Sequence, residues 1–161
     1  MEWRPNCQVM VFTGGAYPDV MVPLLNAAAS EILTCQYEWI WYTHSAGRRA
    51  HKITLAVQAA ARRGVKVRAY LNREAEGHYL TKVNTRTAGE LGRVGVQVKM
   101  GMTGVADHAK FWVIDLRYLV VCSHNLSTRS CTCNSEMGVV VDSELAARDA
   151  KAYFEKLWAR A

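Results

Sequence analysis

The chain has 161 residues and a mass of 18.0 kDa, with 50% hydrophobic residues and a formal net charge of +6. That size and hydrophobicity suit one domain over residues 1–161 with a core of its own, and no run reaches the roughly 18–20 apolar residues of a membrane span. The start, MEWRPNCQVMVFTGG, lacks a basic stretch followed by an apolar one, so no signal peptide is expected and a cytoplasmic location is.

In chain order, Gln8 to Phe12 predicts a short buried strand, broken by Gly14-Gly15. Those glycines lack the further Gly and Lys of a phosphate loop, so a plain turn is expected. Pro18-Asp19 marks a helix start, and Val20 to Glu31 is helical by composition. Ile32 to Tyr42, rich in β-formers and aromatics, predicts a strand. Ala50 to Arg63 predicts a helix with Ile53, Val57 and Ala60 on one stripe, capped by Gly64. Val65 to Leu71 predicts a strand, Leu80 to Leu91 a helix, and Val94 to Met100 a strand. Two strands are expected between Asp107 and Ser127, another at Met137 to Val141, and a last helix capped by Ser143 and running to Ala159. The expected fold class is therefore α/β, a mixed sheet with helices on both faces. Neither an internal repeat nor a linker is visible.

The charge is uneven. From Trp39 to Arg73 there is no Asp or Glu, while eight Lys or Arg residues fall there. Arg48, Arg49, Lys52 and Arg73 are candidates for nucleic-acid contact, because such a span would track phosphates. Trp39, Trp41 and Tyr42 are read first as core and second as bases' stacking partners. Cys7, Cys35, Cys122, Cys131 and Cys133 are odd in number and irregularly spaced, which suits reduced thiols. Cys131-Thr132-Cys133 is too close for a zinc pair, so no metal and no cofactor is expected.

The stretch DHAKFWVIDLRYLVVCSHNLS, Asp107 to Ser127, sets polar groups into two apolar runs. Alternation places His108, Lys110, Trp112 and Ile114 on one face and Phe111, Val113 and Asp115 on the other. A hairpin turning at Leu116-Arg117 would put Lys110 opposite Ser123 and His108 opposite Asn125. An imidazole, an ammonium, a hydroxyl and an amide on one patch suit an anionic phosphodiester. Lys110, Ser123 and Asn125 supply donors to the non-bridging oxygens, and His108 attacks phosphorus or moves a proton.

His108-Ala109-Lys110, four further residues and Asp115 match the HxKxxxxD (HKD) motif of the phospholipase D superfamily. Cys122-Ser123-His124-Asn125 resembles that family's Gly-Ser/Gly-x-Asn, and Asn134-Ser135-Glu136 its N-x-E. One departure is Cys122, where the family usually has Gly. Nearly the whole chain resembles the small single-motif, Nuc-like endonucleases of the superfamily. The resemblance implies a phospholipase D-like fold with one motif per chain and no metal requirement. It also implies a nucleophilic His108 that forms a phosphohistidine, phosphate binding by Lys110, Ser123 and Asn125, and a Glu136 that orients a catalytic histidine. Asp115 is expected to be structural, fixing the hairpin end.

The chemistry needs two histidines, one to attack and one to protonate the leaving oxygen. His44, His51, His78 and His124 lie outside any second HxK, so a homodimer with His108 from each subunit is expected. The first reading is a metal-independent nuclease of low sequence specificity acting on DNA or RNA. A phospholipid hydrolase using the same site is the second, and a nucleic-acid-binding module without turnover the third. A membrane is not an expected partner, because the apolar stripe of the last helix (Leu145, Tyr153, Phe154, Leu157, Trp158) reads as core.

Overall fold

The computed structural model describes residues 7–43 and 49–161. Strand β1 (Gln8–Thr13) leads through a 3-10 turn (Gly14–Ala16) into helix α1 (Tyr17–Ala27). Then come β2 (Glu31–Gln36), α2 (Arg49–Arg62), β3 (Lys66–Leu71), α3 (Tyr79–Gly92) and β4 (Gln97–Met100). The hairpin strands β5 (Phe111–Ile114) and β6 (Tyr118–Cys122) precede β7 (Met137–Asp142) and α4 (Glu144–Ala159).

All seven strands form one sheet in the order β1-β7-β6-β5-β2-β3-β4. β2, β3 and β4 run parallel, joined by helical crossovers, and every other pairing is antiparallel. One face carries Ile32, Trp112, Ile114 and Val120, packed with Met21, Leu25, Ile53, Val57 and Leu91 of α1, α2 and α3. The other carries Leu33, Cys35, Tyr70, Phe111 and Val113 under Phe154 and Leu157 of α4. Fully burying a side chain of this size contributes about 1.5–3 kcal/mol. The mixed sheet with helices on both faces is the architecture expected from the sequence.

Four elements differ from expectation. β1, expected to be buried, is exposed at every residue but Phe12 because it lies at the sheet edge. Helix α1 ends at Ala27, and Glu31, expected in that helix, opens β2. β2 ends at Gln36 rather than Tyr42, because Tyr37 onward leaves the ladder for other partners. Trp39 forms an isolated parallel bridge with Leu126, is fully buried, and donates its indole N–H to Thr54 Oγ1 at 2.9 Å. The stretch from Val94 becomes a strand only at Gln97, after a left-handed Gly95 turns the chain off α3.

The hairpin register also needs correction. Ile114 pairs with Tyr118 and Phe111 with Val121, one residue off the expected alignment, and Cys122 N–H donates to Lys110 O at 3.1 Å. The cause is the loop. Asp115 and Leu116 both take left-handed backbone, φ 51° and 52°, and Arg117 N–H closes the turn on Ile114 O at 3.0 Å. Three residues therefore connect the strands rather than two. Lys110 faces Cys122, and a one-residue slip exchanges the faces. Ser123 and Asn125 lie beyond the last ladder pair, so strand alternation no longer governs their directions.

A left-handed Leu costs about 1–2 kcal/mol, and Asp115 supplies the compensation. Its carboxylate accepts N–H groups of Ala29 (2.8 Å), Ser30 (2.8 Å) and Glu31 (3.0 Å), and the Ser30 hydroxyl (2.8 Å). Burial raises this carboxyl's pKa, but those four donors outweigh burial and leave it below its ordinary value.

Candidate active site

The strand directions bring the motif together. β5 and β7 run opposite to β6 and β2. The start of β5, the end of β6, the start of β7 and the end of β2 therefore share one edge of the sheet. His108 and Lys110 precede Phe111, Ser123 and Asn125 follow Cys122, Glu136 precedes Met137, and Tyr37 follows Gln36. Sites of open α/β sheets commonly sit outside the carboxyl ends of their parallel strands, as here for β2 and β3.

His108, Lys110 and Ser123 line one cavity of about 420 Å³, whose remaining wall is mostly apolar: Ala109, Phe111, Leu119, Val121, Ala150 and Tyr153, with Cys122. Lys110 Nζ lies 3.2 Å from His108 Nδ1 and 3.4 Å from Nε2, and donates to His108 O at 2.9 Å. The ammonium is buried, which pulls its pKa below the usual lysine value, while nearby Cys122 and Glu136 oppose that fall. It also sits 5.0 Å from the centre of the Tyr37 ring, and the His108 imidazole lies 4.4 Å from that ring at a 55° tilt.

Ser123 joins this cavity to a second group. Its hydroxyl donates to Glu136 Oε2 and accepts Met137 N–H at 3.1 Å. Burial raises the Glu136 pKa, but hydrogen bonds from Ser123, Asn134 and Ser130 outweigh it and hold the carboxyl below its ordinary range. Glu136 therefore stays ionised through neutral pH. Asn125 Oδ1 is buried and has no hydrogen-bond partner. An orphaned acceptor of this kind costs about 1–3 kcal/mol and is a common mark of a functional position.

Cys122 is accommodated by its cross-strand partner. Gly138 stands opposite it, and a Cβ on Gly138 would lie 2.6 Å from Cys122 Cβ and 2.3 Å from Phe12 Cζ. Tyr17, which accepts Trp112 Nε1–H at 2.8 Å, hydrogen-bonds Cys122 in turn, and burial pushes the thiol up to about 11. Asp115 lies at the opposite end of β5 from His108.

The other histidines are placed elsewhere. His124 is fully buried and packs against the rings of Phe12 and Tyr17, with Nε2 2.8 Å from Gly14 O. His78 caps α3, its Nδ1 accepting Leu80 N–H at 3.2 Å. His51 lies edge-on to Trp41, and His44 is outside the described residues. Among the described residues no group of three or more His, Cys, Asp or Glu is placed to hold a metal ion.

The basic candidates separate. Arg48 lies outside the described residues. Arg49 is engaged internally, donating to Gly15 O at 2.6 Å and to Asp19. Lys52 is exposed on α2, and Arg73 is exposed just beyond β3, at the sheet edge that carries His108.

Tyr37, Glu38, Asn72, Asn84 and Asp107 complete the surroundings, and none was singled out from sequence. Glu38 is half-buried beside Lys110 and Ser127; burial raises its pKa, and those two neighbours partly offset the rise. Asp107 is buried and accepts from Tyr70 Oη at 2.9 Å and from Arg160. Gly101 leaves room for it, since a Cβ there would stand 2.4 Å from Asp107 Oδ2. An Asp beside the His-x-Lys was the one sequence signal available for this group.

Comparison with known proteins follows the same lines. A family model described as cardiolipin synthase, PLD-like domain matches residues 21–158. The 5'-3' exonuclease PLD3 of Rattus norvegicus is 31% identical over 148 residues, which is 84% of this chain and 28% of that protein. The chain thus spans less than a third of the length of the curated relatives it matches. Among solved structures, Nuc from Salmonella typhimurium, described as a phospholipase D family member, superposes with TM-score 0.80 at 18% identity, covering 96% of each chain. NucT from Helicobacter pylori superposes with TM-score 0.76 at 17% identity, covering 96% of this chain and 98% of its own.

Proposed function

The chain belongs to the phospholipase D-like domain family, and on that premise we propose that it is a metal-independent phosphodiesterase, a nuclease of low sequence specificity acting on DNA or RNA. The observation that carries this is the shared cavity of His108, Lys110 and Ser123, with Glu136 hydrogen-bonded to Ser123. His108 attacks phosphorus and the bond to the leaving oxygen breaks, giving a phosphohistidine. A protonated histidine donates to the leaving oxygen, then deprotonates the water that displaces His108 and releases the phosphomonoester. Lys110, Ser123 and Asn125 surround the non-bridging oxygens. The exonuclease name of the curated relative supports this substrate class.

The second histidine comes from a second copy in this reading. Among the described residues His78 and His124 are hydrogen-bonded elsewhere, and His51 lies on α2 with its ring edge toward Trp41. The sheet face that α4 covers also extends beyond it. There Val9, Val11, Met137 and Val121 share one side by register, 59%, 60%, 60% and 44% exposed, and Tyr153 stands beside them. This apolar area adjoins the cavity, as an isologous interface around the site requires.

The test incubates labelled single- and double-stranded DNA and RNA with the protein in excess EDTA, beside His108→Ala. Cleavage that survives EDTA and disappears in the variant is expected, with a mass in solution of twice 18.0 kDa. The apolar cavity wall favours a second reading, a phospholipid hydrolase using the same residues. Turnover of anionic phospholipid vesicles with every nucleic acid left intact would select it. Among the described residues no helix is long and apolar enough to cross a membrane.

A further inference from the structure

Behind His108 lies a buried network of amides that the chemistry above does not use. Asn84, on α3, is fully buried and has three partners. Its Nδ2 donates to Tyr37 O at 2.8 Å and to Asn72 O at 2.9 Å, and its Oδ1 accepts Trp39 N–H at 2.9 Å. Asn72, the residue after β3, is also fully buried. Its Oδ1 accepts Asp107 N–H at 2.8 Å, and its own N–H donates to Gln36 O at 3.0 Å. Two side chains thus tie together three backbone segments: the exit of β2, the exit of β3, and the residue immediately before His108.

The tie has a direction. Asn84 grips both sides of Glu38, at Tyr37 O and Trp39 N, and Thr87 Oγ1 donates to Trp39 O at 2.5 Å. The Tyr37 ring is the part of this clamp that reaches the cavity groups. Its centre lies 4.4 Å from the His108 ring and 5.0 Å from Lys110 Nζ. A ring at these distances limits the imidazole's rotation and holds the ammonium by its face. Asn72 meanwhile fixes the backbone from which His108 projects. A nucleophile must be held close to in-line geometry, and side chains that lock it contribute through rate rather than affinity.

We propose that Tyr37 is a positioning residue for the reaction. Its ring braces the His108 imidazole and the Lys110 ammonium, and the buried amides of Asn84 and Asn72 hold that ring and the His108 backbone in register. This assignment rests on the phosphodiesterase reading for its kinetic consequence, but its geometric content does not depend on it.

The experiment compares wild type, Tyr37→Phe, Tyr37→Leu and Asn84→Asp, with His108→Ala to identify the His108 ring signals by NMR. Hydrolysis of bis(p-nitrophenyl) phosphate supplies kcat and KM, and circular dichroism checks folding. Tyr37→Phe keeps the ring and is expected to hold the His108 signals and kcat within about twofold. Tyr37→Leu removes it, so the His108 ring protons lose ring-current shielding and move downfield, kcat falls at least tenfold, and KM stays within about twofold. Asn84→Asp keeps the acceptor for Trp39 and loses both donors, so its effect on the His108 signals follows that of Tyr37→Leu. Asn84 is fully buried; should this variant not fold, the two Tyr37 variants decide. Unmoved His108 signals with unchanged kcat in Tyr37→Leu would overturn the proposal. A loss confined to KM would overturn it too, by making Tyr37 a substrate contact. If wild type hydrolyses no phosphodiester, the functional reading falls, and the ring signals alone decide whether Tyr37 positions His108.

Discussion

Replacing Asp115 by Asn tests whether the last residue of the HxKxxxxD spacing serves the fold or the chemistry. Four donors converge on this carboxylate, three on Oδ1 and one, Ala29 N–H, on Oδ2. Hydrogen bonds to a charged group contribute about 1.5–3 kcal/mol each when shielded from water. Ala29 and Ser30 are exposed, so water replaces part of what is lost and the lower end applies. Asn keeps one neutral acceptor but turns its NH₂ toward the Ala29 N–H. A net cost of about 2 kcal/mol results, or about 4–8 °C in Tm for a domain this size. The sign with pH is fixed by the depressed folded pKa. The stabilisation is fully present above the unfolded pKa, near 3.9, and is lost as pH falls through the lower folded value. Wild type and variant should therefore differ at pH 7 and converge in acid. Urea unfolding followed by circular dichroism at pH 7 and below pH 4 measures both. A change under about 0.5 kcal/mol at pH 7, or a gap that persists in acid, would refute the anchoring argument. A tenfold fall in kcat well below the variant's Tm would place Asp115 in the chemistry after all.

Gly138→Ala should be damaging, because Gly138 is buried in β7 and the new Cβ meets both Phe12 and Cys122. A loss of about 1–3 kcal/mol is expected in urea unfolding. Ser123→Ala removes the first of the hydrogen bonds that hold Glu136 acidic, so the Glu136 carboxyl should titrate at higher pH, read by carbon-13 NMR. Burial pushes the Cys122 thiol up to about 11, and Cys35 and Cys131 to about 12. At neutral pH a thiol reagent should modify exposed Cys133 in the native protein and reach buried Cys35 and Cys131 only after unfolding. Ser143→Ala should cost about 1 kcal/mol, since its hydroxyl accepts Ala146 N–H at the start of α4.

Most elements were legible because their signals are local. Ser143 as a cap and Gly64 as a stop need only their neighbours. The spacing of His108, Lys110, Ser123 and Asn125 was legible for a similar reason: a hairpin and its flanks keep sequence neighbours adjacent in space. What sequence obscured was anything set by distant partners. The hairpin register depends on a left-handed Leu116, which Leu does not adopt by preference and which Asp115 makes tolerable through contacts more than eighty residues away. Tyr37 looked like one more strand residue, because the break after Gln36 is made by Asn84 on another helix. Arg49 read as a free cation because nothing local marks Gly15 O and Asp19 as its partners.

The pairing of β1 with β7 has a consequence for how the sheet opens. β1 is an edge strand with a single hydrogen-bonded neighbour, and five of its six residues, all but Phe12, are exposed. Joining it to β7 closes a loop through nearly the whole chain, whereas the β5–β6 hairpin closes over three residues. The hairpin beside His108 is therefore cheap to form, and β1 is expensive to add and easy to peel away. In native-state hydrogen exchange, the β1 amides should be the first of the sheet to trade their protons while those of β5 remain protected. Val9 and Val11 lie on the face proposed for a second copy, so slower exchange in β1 at higher protein concentration would support that proposal without any substrate present.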